Sequence, residues 1–364
     1  MKLNSRNIFL GLFLFTFLLR FGVIHLQRLY ENFYGAFGVR HYLGFVLIAL
    51  MIAFWILFLK KVKDKKVYDR LVVVTSGLFT FLFVELGFMF YAETHAVGHT
   101  LAHELWMHRN WELNEIGFRD SLPSEKKKET KKVFFVGDSF TEGPGLKIGE
   151  RYTDHLQKIL GEEKYSVYNL GKCGADTRME FKNLSKFPDK PDLVFLQYYQ
   201  NDIEGVGKDH LKVKINSFKT FQGVIAPLKL LLKNSYFLNY VYFKIPKKGY
   251  SNYGELIKKA FNHPGAIKDH YSDLDKFKKF AENRDINFSI LYFPTLYEPV
   301  EKSMYIYDIL KKFTDENNVD LIDTSICTHK FEKGDRVVNK SDPHPSAEVS
   351  VCVAEMLDDY MKKL

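Results

Sequence analysis

The second part of the sequence, from about residue 132, predicts a layered α/β sandwich on a parallel sheet, because short apolar segments alternate with helical ones. The first apolar segment, Val133–Gly137, is rich in β-branched and aromatic residues, as buried strands are. It ends at the polar pair Asp138-Ser139. The same alternation then predicts strands over Tyr165–Leu170, Leu193–Tyr198, Ile286–Phe293 and Val319–Ile322, and helices over Arg151–Leu160, Met179–Phe187, Tyr271–Asn283, Ser303–Asn317 and Ser346–Lys363, the last capped by Ser346.

Three apolar stretches precede this part: Ile8–Ile24, Tyr42–Leu59 and Leu71–Tyr91. Each is close to the roughly 17–25 residues that a helix needs to cross a bilayer. The first stretch resembles a signal peptide in length, but it lacks a small-residue cleavage site and two more stretches follow it. We therefore expect three transmembrane helices that form an anchor over residues 1–92.

Basic residues predict the orientation of this anchor. A lysine-rich loop between residues 60 and 70 follows the second stretch, and Lys2 and Arg6 precede the first. The positive-inside rule places both groups in the cytoplasm. The chain is then integral to the cytoplasmic (inner) membrane, and its soluble part lies on the periplasmic or external side.

Composition excludes several other classes of protein. The net charge of +8 comes from lysines that are scattered or that flank apolar stretches, and no nucleic-acid-binding motif is visible. The three cysteines are odd in number and widely spaced, which predicts neither a disulfide framework nor a zinc site. We expect no metal and no cofactor.

The region that joins the two parts leaves several alternatives open. His95, His99 and His103 recur every four residues and would share one face of a helix that continues from the third stretch, either as zinc ligands or as part of an interfacial helix. Glu85 lies within the third stretch and is functional, protonated or paired with Arg20. The interfacial helix and a polar linker occupy residues 93–131, and the soluble domain occupies residues 132–364.

An aromatic-rich insertion, at about 205–270, interrupts the soluble domain. Its segment Phe218–Ile245 is too irregular for a fourth span. A lid, a surface that rests on the membrane and ordinary core packing all remain as interpretations.

The functional candidates are Ser139, Gly174, Asn201, Asp342 and His344, which occur in this order along the chain. A serine hydroxyl needs an adjacent base to act as a nucleophile, and a carboxylate holds that base in the correct tautomer. Backbone N–H groups of Ser139 and Gly174 and the amide of Asn201 are suitable donors for an oxyanion. Asp138 and Cys173 are interpreted as structural.

These residues lie in the motifs G-D-S-F-T-E-G, N-L-G-K-C-G-A-D-T, P-D-L-V-F-L-Q-Y-Y-Q-N-D and D-P-H-P-S. Over roughly residues 132–204 and 285–364, the chain resembles the SGNH (GDSL-type) hydrolase superfamily. The resemblance implies a flavodoxin-like three-layer α/β/α sandwich, with Ser139 as nucleophile, His344 as base, and Ser139, Gly174 and Asn201 as the oxyanion hole. The usual family position for the acid, three residues before the histidine, is Ser341 here, so Asp342 either completes a triad at a shorter spacing or leaves a dyad.

The expected function is that of a membrane-anchored serine hydrolase that cleaves acyl or acetyl esters on a lipid or a glycan outside the cytoplasm. One alternative is an O-acyltransferase, in which a sugar hydroxyl intercepts the acyl-serine. The other is a catalytically silent glycan- or lipid-binding protein of the same fold.

Overall fold

The computed structural model describes residues 5, 7–16, 39–96, 98, 100–127, 129–212, 221, 223–245 and 253–364, with the backbone alone for residues 39–45. The chain forms two compact units. The helical unit holds Met1–Arg109 and Lys219–Pro246, and the α/β unit holds Asn110–Phe218 and Lys247–Leu364.

The α/β unit is organised on five parallel strands in the order β2-β1-β3-β4-β5. The strands are β1 (Lys131–Gly137), β2 (Tyr165–Gly171), β3 (Leu193–Tyr198), β4 (Asn287–Tyr292) and β5 (Asp320–Asp323). β1 and β3 are almost wholly buried, as parallel strands are when helices cover both faces of a sheet. The predicted parallel α/β fold is confirmed, and each of its five strands was expected from the sequence.

Helices cover both faces of this sheet. Successive residues of β1 point to opposite faces, so that Phe134 and Val136 belong to one apolar cluster and Val133 and Phe135 to another. The helices of the α/β unit are α5 (Ser139–Glu142), α6 (Tyr152–Leu160), α7 (Thr177–Lys186), α8 (Glu204–Leu211), α11 (Tyr253–Phe261), α12 (Pro264–Glu282), α13 (Met304–Asn317), α14 (Ser325–His329) and α15 (Ala347–Met361). The result is a three-layer α/β/α sandwich.

A short antiparallel hairpin lies outside the main sheet. It consists of β6 (Val337–Asn339) and β7 (Asp342–Pro345) and leads directly into α15, whose N-cap is Ser346. A disulfide joins Cys327 in α14 to Cys352 in α15, with the two Cα atoms 5.7 Å apart. The sequence predicted no disulfide framework, and this single bridge was not expected, because the two helices bring together cysteines that are distant in the sequence.

The helical unit contains α1 (Asn7–Thr16), α2 (Val39–Leu59), α3 (Lys65–Phe88), α4 (Leu101–Asn110), α9 (Ala226–Asn234) and α10 (Tyr236–Lys244), of which α4 ends on the first residue of the other unit. Among the described residues, α3 alone is long and apolar enough to cross a membrane. Asn7–Thr16 and Val46–Leu59 are shorter apolar helices. The structure therefore gives one candidate span in place of the predicted three, and residues 17–24 of the first predicted span lie outside the described residues.

The chain does not continue as one helix from α3 through the predicted histidine series. α3 ends at Phe88, and α4 begins only at Leu101, after Gly98 with its positive φ of 67°. The prediction of a shared helical face is therefore wrong for His95 and His103, although the backbone N–H of His95 donates to Nδ1 of His103. His99 lies outside the described residues, which contain no group of three or more side chains that could hold a metal.

Candidate active site

The order of the strands brings the loops of the candidate site together. β1 lies between β2 and β3. The carboxyl end of β1 leads to Ser139, that of β2 to Gly174 and that of β3 to Asn201. Parallel strands place these ends at one edge of the sheet, where α/β proteins bind ligands. Three of the five predicted site residues thus follow adjacent strands.

Ser139 is the first residue of α5. Asp138 caps this helix, because its carboxylate accepts a hydrogen bond from the backbone N–H of Phe140 at 2.8 Å. The turn requires glycine at position 137, where a Cβ atom would lie 2.4 Å from side-chain oxygens of Gln197 and Thr141. Residues after β1 therefore turn sharply into α5 and place the serine at the end of the strand.

His344 and Asp342 are two residues apart on β7 and lie on the same side of the strand. Nδ1 of His344 is hydrogen-bonded to Oδ1 of Asp342, which is 1% exposed, and the imidazole side chain is 18% exposed. The same oxygen also accepts from the backbone N–H of His344 at 3.3 Å. The Asp-x-His spacing therefore allows the contact between carboxylate and imidazole that a triad requires. A carboxylate on Nδ1 favours the tautomer in which Nε2 is the basic nitrogen.

His344 lies beside the neighbours of Ser139. Its ring centroid is 5.7 Å from that of Phe140, which stacks on Tyr199 at 4.0 Å. Among the described residues, no hydrogen bond joins the Ser139 hydroxyl to this imidazole. The structure thus brings Asp342 and His344 into contact and places Ser139 on an adjacent element.

Gly174 has a φ of 73°, a conformation in which a side chain is strained. A Cβ atom at this position would have no neighbour within 4 Å, so the surface above the glycine is open. The side-chain amide of Asn201 donates to the carbonyl of Ala175 at 3.1 Å and is 9% exposed. The loops that carry the two predicted oxyanion donors are therefore held together.

Buried polar groups that the sequence did not identify support α5. Glu142 accepts a hydrogen bond from the backbone N–H of Cys173, and so connects α5 to the loop of Gly174. Arg119 is fully buried and donates to the carbonyl oxygens of Glu142 and Gly143, at 3.2 and 2.6 Å, and to those of Asn110 and Leu146. Burial, with a smaller effect of Arg151, lowers the pKa of Arg119 to about 10.

The pKa values of Asp138 and Cys173, two neighbours of the candidate catalytic residues, are both raised. Burial raises the pKa of Asp138, and the N–H of Phe140 and the charge of His344 oppose this rise. Desolvation of the thiol and the neighbouring Glu142 raise the pKa of Cys173, although the residue as a whole is exposed. The interpretation of both residues as structural stays a prediction.

The comparisons with known proteins concern the fold. No family model and no curated protein matches the chain. The chain is similar to solved structures of lipolytic or esterase proteins. One is a lipolytic protein of the G-D-S-L family from Desulfitobacterium hafniense, with 13% identity, a TM-score of 0.40, and coverage of 63% of this chain and 99% of that protein.

Two further examples have similar values. An acetyl xylan esterase has 16% identity and a TM-score of 0.41, over 63% of this chain and 98% of that protein. A psychrotrophic esterase from Pseudoalteromonas has 14% identity and a TM-score of 0.40, over 64% and 97%. At these identities and TM-scores, the likeness assigns neither an activity nor a substrate to this chain.

Proposed function

We propose that the chain is a membrane-anchored serine hydrolase that cleaves acyl or acetyl esters outside the cytoplasm. The observation that carries this proposal is the contact between buried Asp342 and His344, next to the element that begins with Ser139. A carboxylate, an imidazole and a serine at the end of a central strand are the groups that acyl transfer requires.

In the proposed reaction, Nε2 of His344 accepts the hydroxyl proton of Ser139 as Oγ attacks the ester carbonyl carbon. Asp342 stabilises the imidazolium that forms. The tetrahedral intermediate then collapses, the bond from carbon to the alcohol oxygen breaks, and His344 returns the proton to the leaving alcohol. Water, activated by the same imidazole, releases the acid and restores the serine.

The developing negative charge on the carbonyl oxygen needs preorganised donors. Backbone N–H groups of Ser139 and Gly174 and the amide of Asn201 are assigned this role. One donor of an oxyanion hole typically contributes about 3–4 kcal/mol to lowering the barrier. The open surface above Gly174 supports the assignment, because a substrate oxygen must approach this backbone closely.

Two features support membrane attachment and an extracytoplasmic site. α3 has the length and hydropathy of a membrane span, and the basic residues between positions 60 and 70 lie at its amino-terminal end. The Cys327–Cys352 disulfide is typical of proteins from oxidising compartments. A lipid or glycan that bears an ester is the substrate class we propose.

The test is covalent labelling of the full-length protein in mild detergent with a fluorophosphonate probe. We expect the native chain to be labelled, Ser139→Ala to be unlabelled, and His344→Ala to react about 10²–10⁴-fold more slowly. Ser185→Ala, which changes an exposed serine on α7, is the matched control and should label normally. Labelling that persists in Ser139→Ala would identify another nucleophile, and an unlabelled native chain would contradict the hydrolase.

A further inference from the structure

A carboxylate near the end of α3 holds the amino-terminal end of α10. Glu85 is 4% exposed and lies three residues, about 4.5 Å of helix, before the end of α3. It accepts hydrogen bonds from Oγ of Ser235 at 2.7 Å and from the backbone N–H groups of Tyr236 and Phe237 at 2.7 and 3.0 Å. Free N–H groups and the helix dipole make this end of α10 a favourable site for a carboxylate. The alternative of a pair between Glu85 and Arg20 stays untested, because Arg20 lies outside the described residues.

Aromatic side chains extend the contact between α3 and α10. Phe88 lies 5.2 Å from Phe237 and 4.9 Å from Tyr240, and Tyr240 lies 5.2 Å from Tyr91. Tyrosines and other aromatics gather where a membrane span leaves the hydrocarbon core. The aromatic group and Glu85 therefore mark the level of one membrane surface.

α9 is joined to α10 through Ser235 alone, so the position of α10 also determines that of α9. Leu228 and Leu231 are spaced by three residues and share one face of α9, and they are 44% and 38% exposed. Ile225, which precedes the helix, is 70% exposed. Lys229 and Lys233 are spaced by four residues and share a different face. An apolar face beside a basic one is typical of helices that lie in a membrane interface.

We propose that α9 lies along the extracytoplasmic surface of the phospholipid bilayer, with Leu228 and Leu231 among the acyl chains and Lys229 and Lys233 at the level of the phosphates. This inference rests on the membrane residence proposed above. Continuity with α3 through Glu85 and the aromatic group favours lipid over a protein partner, because the same contacts place α9 at the end of the candidate span. The two lysines add charge complementarity to anionic headgroups.

The test measures the depth of nitroxide labels in the full-length chain, reconstituted into vesicles of phosphatidylcholine and phosphatidylglycerol. Single labels replace Leu228, Leu231 or, as the matched control on the basic face, Lys233, with Cys173 changed to Ser. We expect the ratio of oxygen accessibility to accessibility for a water-soluble nickel complex to be at least about threefold higher at 228 and 231 than at 233. Equal ratios at the three positions would overturn the proposal.

A second arm tests whether Glu85 holds α9 at this surface. Glu85→Leu removes the acceptor of three hydrogen bonds, whereas Ser235→Ala removes one donor to Glu85 and the N-cap acceptor of Leu238 N–H. We expect the accessibility ratio at 228, relative to that at 233, to decrease strongly in Glu85→Leu and weakly in Ser235→Ala. If this relative ratio is unchanged in both variants, the role of Glu85 is overturned. Release of the native chain from membranes by alkaline carbonate would refute membrane residence itself, and fluorophosphonate labelling of the same samples reports separately on Ser139.

Discussion

The disulfide between Cys327 and Cys352 closes a loop that contains the whole β6–β7 hairpin, including Asp342 and His344. The two cysteines are 25 residues apart in the sequence. Replacement of both by alanine frees this loop in the unfolded chain. The chain-entropy model then gives a loss of about 3.5 kcal/mol in the free energy of unfolding.

The loss is measurable by pulse proteolysis of the full-length protein in urea and mild detergent. With an m-value of about 2.5 kcal/mol/M, the double variant should unfold at about 1.4 M less urea than the native protein. Reductant should shift the native protein by the same amount and leave the double variant unchanged. Cys173→Ala is the control, because Cys173 is a free cysteine and its replacement opens no loop.

An unchanged urea midpoint would refute the bond between Cys327 and Cys352. If the double variant and the native protein unfold at the same urea concentration, and reductant shifts neither, the cysteines are not bonded. The reasoning from loop closure would then be refuted, and the support that the disulfide gives to an oxidising compartment would be lost.

Three further predictions concern single residues. Asp342→Asn should lower kcat for a short-chain ester by about 10²–10⁴-fold with a small change in KM, because His344 loses the carboxylate that orients it. An unchanged kcat would indicate that Ser139 and His344 act as a dyad. Arg119→Met should lower the free energy of unfolding by about 3–5 kcal/mol in urea, because buried carbonyl groups lose their donor, and a loss below 1 kcal/mol would contradict that role. Glu180 is fully buried and makes no hydrogen bond to any residue that the structure describes, and burial together with Asp138 raises its pKa well above the usual 4.5. Above pH 4.5 the folded chain retains a proton that the unfolded chain loses, so the free energy of unfolding should fall by up to about 1.4 kcal/mol per pH unit. Glu180→Gln should remove this part of the fall. Identical pH profiles for the native chain and Glu180→Gln would refute the role of Glu180.

The sequence predicted the parallel sheet well because buried strands have a strong local signature. Leu193–Tyr198 was expected within the limits that the structure gives, and it is buried at every position. The cap at Ser346 was also expected, and its hydroxyl accepts from the N–H of Val349 at 3.3 Å. Both features depend on residues close together in the chain.

Features that depend on distant residues were not predictable in this way. The role of Arg119 could not be predicted from the sequence, since nothing nearby shows that its guanidinium reaches carbonyl groups after Ser139. The Cys327–Cys352 pair and the contact between Glu85 and Ser235 are also long-range. The Asp-x-His motif named Asp342 as the acid but left a dyad open as the alternative, because the contact depends on the extended backbone of β7.

The separate hairpin of β6 and β7 has a consequence for how the chain matures. Ser139 follows the central strand, whereas His344 is supplied by an element outside the main sheet that the chain makes much later. A growing chain can complete the nucleophile turn while the imidazole is still missing. The proposed catalytic pair therefore assembles only after the hairpin has docked, and the proposed esterase activity would begin after synthesis is complete, when oxidation of Cys327 and Cys352 closes the loop around the hairpin.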